Sequence, residues 1–359
     1  MVKRHFTSTI GALLASVAMA APAMAGVPVG TDALREWNLI VLGNLTSSSE
    51  VEGRTFVGGD LTGNSSNYNI KPGTPSSNGQ PGLVVVGDVN GGTKNLNNGS
   101  GAIVGGNVNS GFNLNGDPQT VQVGGTIANT NVNQNTVNSG LATSNPQFAQ
   151  DLQQDKSLIT TSMNELSYQL GTLDADSQLQ ISGNRGTFNA VPGADGVAVF
   201  NITAAQLDSI GEIQFNLNGA DTAIVNVAGS SIRLNDNFLG GTANLGEHVI
   251  WNFKDAADLT LTTAWGGSVL APKADTQTFN YIQGSAVFGN LLQNGEMHVG
   301  TYAGGYYPPS GQPGSSSGGG SSGGSTAVPE PEAFGLFALA AAGLLFARRR
   351  RSRKAQAID

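Results

Sequence analysis

The sequence predicts an all-β fold: a parallel β-helix (solenoid) of right-handed sense with one amphipathic helix packed along it. Three observations carry this expectation. Glycine accounts for 51 of the 359 residues while charged residues make up only 12%, a mixture that suits short strands with tight corners and disfavours long helices. A short motif recurs as Val57-Gly58-Gly59-Asp60-Leu61, Val86-Gly87-Asp88-Val89, Val104-Gly105-Gly106-Asn107-Val108 and Val123-Gly124-Gly125-Thr126-Ile127, the last three at nearly even intervals. Between Pro146 and Leu170 glycine disappears and the apolar period becomes helical.

Each repeat is a β-branched run, a glycine corner and a further apolar residue. One such coil cannot bury its inner face alone, but stacked coils share a continuous core. Asparagine-rich segments at 95–99 and 129–135 separate the repeats, and Asn can stack in ladders at turns. An antiparallel β-sandwich with glycine-rich hairpins is the competing architecture, but it has no need of a fixed period.

In the helical segment Phe148, Leu152, Ile159, Met163, Leu166 and Leu170 fall on one stripe, which should cover a side of the β core. Asn145 suits the N-cap, Pro146 the first turn and Gly171 the end. Strand-like runs resume at 196–202, 213–217, 223–227, 248–253, 268–271 and 285–292. The solenoid is therefore expected to continue to about residue 303, giving a body over residues 30–308.

Both ends read differently from the body. Residues 1–25 have a basic start (Lys3, Arg4), an apolar run and the small exit Ala23-Met24-Ala25. This is the layout of a secretory signal peptide, cleaved after Ala25. Residues 309–327 are a Gly/Ser-rich linker. Pro329, Glu330 and Pro331 follow, then an uncharged apolar segment at 333–347, then the cluster Arg348, Arg349, Arg350 and Arg351. The apolar segment is somewhat short of the ~20 residues that span a bilayer comfortably. The arginines would hold the C-terminus in the cytoplasm, with the body outside.

Without the charged residues of the two ends, the body keeps 9 basic and 22 acidic residues, a net charge of −13. Such a body repels phosphate backbones, so nucleic acid is not an expected partner. The chain has no cysteine, which excludes disulfides, thiolate metal sites and cysteine nucleophiles. His248 and His298, in strand-like segments, read as structural or exposed, and no catalytic residue is expected. The G-x-S-x-G match at 314–318 falls in the linker, where no strand-to-helix elbow can form. Residues 59–64 hold a single carboxylate and lack the calcium-binding nonapeptide repeat, so neither a metal nor a cofactor is expected. Thr260, Thr262 and Thr263 suggest an ice- or polysaccharide-binding face, but no regular T-x-T recurs at the coil period.

Val328-Pro329-Glu330-Pro331, the apolar run and the arginine cluster resemble the PEP-CTERM sorting signal over residues 328–354. The resemblance implies processing by an exosortase of a Gram-negative bacterium. The protein would insert transiently in the inner membrane, then reach the cell surface, outer membrane or extracellular matrix. The segments at 37–45, 51–60, 267–272, 284–285 and 295–298 resemble the choice-of-anchor A family, whose members pair one extracellular domain with different sorting tails. Together these imply an exported, non-catalytic surface or matrix protein that contributes to biofilm or adhesion, with exopolysaccharide or a matrix protein as partner. A polysaccharide- or ice-binding solenoid is the alternative, and a polysaccharide-processing enzyme a weaker one.

Overall fold

The computed structural model describes residues 26–71, 76 and 79–308. The signal peptide, the linker, the sorting motif, the 333–347 segment and the arginine cluster lie outside these residues. Within them the chain winds into three-sided coils. In one coil, strand Leu39–Val41 lies on the first face, Leu45–Ser47 on the second and Glu50–Val51 on the third. The next coil repeats this with Thr55–Val57, Leu61–Thr62 and Ser66–Tyr68. The two stack in parallel register, pairing Leu39 with Thr55, Leu45 with Leu61 and Val51 with Tyr68.

The coils do not stack in chain order, and here the structure departs from the expected continuous solenoid. On the first face the strands run Thr136–Asn138, Thr120–Val123, Ala102–Val104, Leu83–Val85, Thr55–Val57, Leu39–Val41, Ala286–Gln293, Ser268–Thr278, Val249–Asn252, Thr222–Ala228, Val197–Thr203. The chain thus begins in the middle and winds out to one end. Helix Pro146–Leu170 carries it back, and the second arm winds inward from the far end. The final coil closes on the first, with Leu39 opposite Ala286, Leu45 opposite Leu291 and Val51 opposite Met297. The returning helix makes this possible. Its 25 residues span about 37 Å, against about 48 Å for eleven strands at about 4.8 Å spacing.

The helix packs as its stripe predicts. Phe148, Leu152, Ile159, Met163, Leu166 and Leu170 are buried against outward apolar residues of the first face, among them Ile40, Phe56, Val84, Ile224, Ile250 and Val287. Both sides of that face are therefore apolar, which is why these strands read as unbroken hydrophobic runs. The end signals act differently from expectation. Asn145 occupies the N-cap, but its side chain makes no capping bond. Gly171 is right-handed at φ −68°; a Cβ there would lie 2.8 Å from Lys254 Cδ, so close packing rather than a left-handed turn explains the glycine.

Coil length sets what fills the interior. Leu83, Ala102 and Val121 succeed one another in register where the motif repeats. The coils are short there: Asn109 bonds to Asn90, 19 residues back. At the far end of the second arm Asn226 bonds to Asn201 across 25 residues and Asn252 to Asn226 across 26. The wider coils are filled by Phe188, Phe200, Phe215, Phe238, Trp251 and Trp265, packed at ring separations of 5.0–6.3 Å. The narrower coils are filled mainly by Val and Leu, with Tyr68 and Phe112 the buried aromatics in the interior of the first arm. Each fully buried side chain of these kinds contributes about 1.5–3 kcal/mol.

A candidate ligand-binding face

The first face is covered by the helix, which leaves the second and third open. At the corner entering the second face, six coils place a short polar side chain beside a glycine. Asn44 N–H donates to Asn290 Oδ1 (2.8 Å), Asp60 N–H to Asn44 Oδ1 (2.9 Å) and Asp88 N–H to Asp60 Oδ1 (2.8 Å). Asn107 N–H donates to Asp88 Oδ1 (2.6 Å), and Thr126 N–H to Asn107 Oδ1 (2.9 Å). Asn290 Nδ2 extends the column to Asp275 Oδ1 (2.8 Å). The ladder runs unbroken through the join between the two arms.

The adjoining glycines are part of the same device. A Cβ on Gly43, Gly59, Gly87, Gly106 or Gly125 would fall 2.1–2.3 Å from the ladder oxygen of the neighbouring coil. The space a side chain would need is filled by the side chain below. The local sequence is therefore glycine, then Asn, Asp or Thr, then an inward apolar residue, then a second outward residue. It appears at 43–46, 59–62, 87–90, 106–109, 125–128 and 289–292. The sequence repeat captured the glycine and apolar positions. It missed the outward residue that ends each unit and the units at 43–46 and 289–292, which lack the preceding Val-Gly.

The outward positions form two columns. One holds Asp258, Asp275, Asn290, Asn44, Asp60, Asp88 and Asn107. The other holds Thr260, Gln277, Leu292, Thr46, Thr62, Asn90 and Asn109. Thr46 and Thr62 hydroxyls bond at 2.9 Å, and Asn109 Nδ2 donates to Asn90 Oδ1 at 2.8 Å. Asp258, Thr260 and Gln277 make no side-chain hydrogen bond among the described residues. An open trough of about 540 Å³ lies over this part of the face, lined by Asp258, Thr260, Asp275, Gln277, Leu292 and Thr46 with their neighbours. Of the threonines singled out in the sequence, only Thr260 points from this face. Thr262 and Thr263 bond back to Leu234 O (3.1 Å) and Asp236 O (2.7 Å).

The third face spends its polar groups on itself. Asn113 Nδ2 donates to Asn95 Oδ1 (2.8 Å), Asn115 Nδ2 to Asn97 Oδ1 (3.2 Å) and Asn67 Nδ2 to Glu50 Oε1 (3.0 Å). His298 stacks on Tyr281 at 4.4 Å and pairs with Glu296 at 2.8 Å. His248 lies elsewhere, its Nδ1 2.8 Å from Asp221 O. The structure gives the two histidines separate partners and does not bring them together.

Asp236 and Lys94 are among the titratable groups shut inside. Asp236 is 1% exposed, neither carboxyl oxygen has a hydrogen-bond partner among the described residues, and burial pushes its pKa up to about 7. Lys94 is fully buried with Nζ 2.5 Å from Asn64 O, and burial lowers its pKa to about 8. Neither opens onto the trough. Among the described residues no group of three or more His, Asp or Glu is placed to hold a metal. Asp60, in the segment weighed for calcium, instead accepts the Asp88 N–H.

The chain leaves the described body on the side away from the trough. Tyr302 is buried; its hydroxyl lies 2.7 Å from Thr222 Oγ1 and accepts the Tyr306 N–H at 3.1 Å. Thr31 Oγ1 donates to Tyr306 O (3.0 Å), and Ala303 and Gly304 N–H donate to Glu247 O (2.9 and 3.1 Å). Arg35 lies over the Tyr302 and Tyr307 rings, 5.0 and 4.4 Å from their centroids. All these partners sit at the corner between the third and first faces, across the coil from the second.

Among the described residues no helix is long and apolar enough to cross a membrane. Residues 327–351 match the PEP-CTERM protein-sorting motif, which marks the protein for exosortase processing and export to the cell surface or extracellular space. Comparison with curated proteins and with solved structures returns no match. Residues 30–299, the whole stacked body, match the family described as "Putative Ice-binding-like adhesive domain". The chain belongs to this adhesive-domain family.

Proposed function

We propose that this protein is a non-catalytic adhesin of the bacterial surface or matrix that contributes to biofilm and makes contact through its second face. The observation that carries the reading is the pair of outward polar columns that continue through the join of the arms. A regular, flat, open surface suits an extended or repeating partner better than a small substrate. An enzyme reading is weaker. Asp258 and Asp275 lie one coil apart on an open surface, which offers no enclosed cleft in which a substrate would be held for reaction. The ice alternative draws on the Thr46–Thr62 pair, but Gln277 and Leu292 interrupt the threonine column.

The tail has its own role in this proposal. Residues 333–347 insert in the inner membrane, Arg348 to Arg351 stay on the cytoplasmic side, and exosortase reads Pro329, Glu330 and Pro331. Two experiments test the whole. Alanines at Pro329, Glu330 and Pro331 should leave unprocessed protein in the inner-membrane fraction; unchanged fractionation rejects the sorting role. Cells displaying a Thr46→Arg, Leu292→Arg variant should lose attachment in a biofilm assay at unchanged display level. Full attachment rejects the second face as the contact surface.

A further inference from the structure

The second face carries unspent hydrogen-bonding groups at one place, and their spacing constrains what fits there. Asp258, Thr260 and Gln277 are unpartnered among the described residues, and Asp275 keeps one carboxylate oxygen free of the ladder. Beside them Leu292 is 41% exposed, an apolar spot in an otherwise polar row. Elsewhere the outward groups are committed to each other, as in the Thr46–Thr62 and Asn90–Asn109 pairs and the third-face asparagines.

Resting on the adhesive reading of this face, we infer that the trough binds a neutral, extended β-linked polysaccharide lying along the solenoid axis. The coils repeat at about 4.8 Å, close to the advance of one pyranose ring in such a chain. Four successive coils contribute Asp258 with Thr260, Asp275 with Gln277, Asn290 with Leu292, and Asn44 with Thr46. Successive rings therefore meet equivalent pairs. Carboxylate and amide oxygens accept from sugar hydroxyls, the Gln277 amide and Thr260 hydroxyl donate, and Leu292 meets a ring's C–H face. Charge selects among glycans. The trough has two carboxylates and no cationic side chain in its lining, on a body of net charge −13, so a uronate polymer is repelled.

The test uses the full chain purified in mild detergent, mixed with insoluble cellulose, chitin or curdlan, and separately with soluble alginate. Retention on at least one neutral glycan and none on alginate is expected. Affinity for the matching oligosaccharides should rise with length and level off near four rings, one per coil of the trough. Thr260→Val with Gln277→Ala should weaken binding about tenfold, as expected for two lost hydrogen bonds. Asn113→Arg on the third face should not change it. Unchanged melting temperatures certify the folds.

No retention on any neutral glycan, preference for alginate, a length dependence that ends at one ring, or full binding by the Thr260→Val, Gln277→Ala variant each overturns the inference. If glycan binding is absent while the Thr46→Arg, Leu292→Arg variant still loses cell attachment, the inference fails and the adhesive reading stands. If that variant keeps full attachment, the adhesive reading of the face fails instead.

Discussion

Replacing Gly43 by alanine tests the ladder at its most consequential point. Gly43 lies at the join of the two arms, where its N–H donates to Gly289 O at 2.6 Å. A Cβ there would fall 2.2 Å from Asn290 Oδ1 and 2.9 Å from Gly289 O. Real contacts of that kind do not occur, so either Asn290 turns away or the two coils part. Overpacking of this kind costs about 1–3 kcal/mol, and losing the Asn290 acceptor from Asn44 N–H adds about 1 kcal/mol. Gly43→Ala is thus expected to destabilise by about 2–4 kcal/mol. Urea unfolding followed by tryptophan fluorescence should show a midpoint lowered by about 1 M, for a slope near ~3 kcal/mol per M. The double variant Gly43→Ala, Asn290→Ala removes the closer obstruction. The two single costs should then fail to add, by about 1 kcal/mol. A Gly43→Ala protein as stable as an ordinary surface variant, within about 0.5 kcal/mol of the parent, or strict additivity in the double variant, would refute the coupling of glycine to ladder.

Further expectations follow from the buried groups and the helix. The folded-state pKa of Asp236 is raised to about 7, so the folded state holds its proton longer than the unfolded chain does. Stability should therefore decline as pH rises from about 4 to about 7 by up to about 4 kcal/mol, and Asp236→Asn should flatten that decline in pH-dependent melting. Lys94 has the opposite consequence. Its folded pKa is lowered to about 8 from 10.5, so the unfolded state binds more protons between these values. Stability should rise with pH across that window, and Lys94→Met should abolish the rise. Leu166→Ala, on the buried stripe of the returning helix, should cost about 2–5 kcal/mol as a core truncation, measured by thermal unfolding; a loss under about 1 kcal/mol would mean the helix is not holding the first face.

What the sequence made legible was local. The helix showed because six apolar residues keep one stripe along its whole length. The second-arm strands showed because Val197–Thr203 and Thr222–Ala228 carry apolar residues on both sides. The order of the coils was hidden, because it depends on pairings such as Leu39 with Ala286 that no local pattern announces. The candidate face was hidden for the same reason. Asn290 and Asn44 become neighbours only when the arms meet, and neither stands out alone. The coil period also drifts, from 19 residues between Asn90 and Asn109 to 26 between Asn226 and Asn252. A search for one repeat length therefore sees only the stretch around residues 83–127.

The join between the arms has a consequence for a chain that is made from its N-terminus onward. The edge presented by strand Leu39–Val41 receives its partner only when residues 286–288 arrive. Until then an early coil carries an open, hydrogen-bonding edge of the kind that recruits other chains. Completion is therefore reported by a single late event, the docking of the last coil on the first. Any chain cut short before it keeps that edge unpaired and open to another strand.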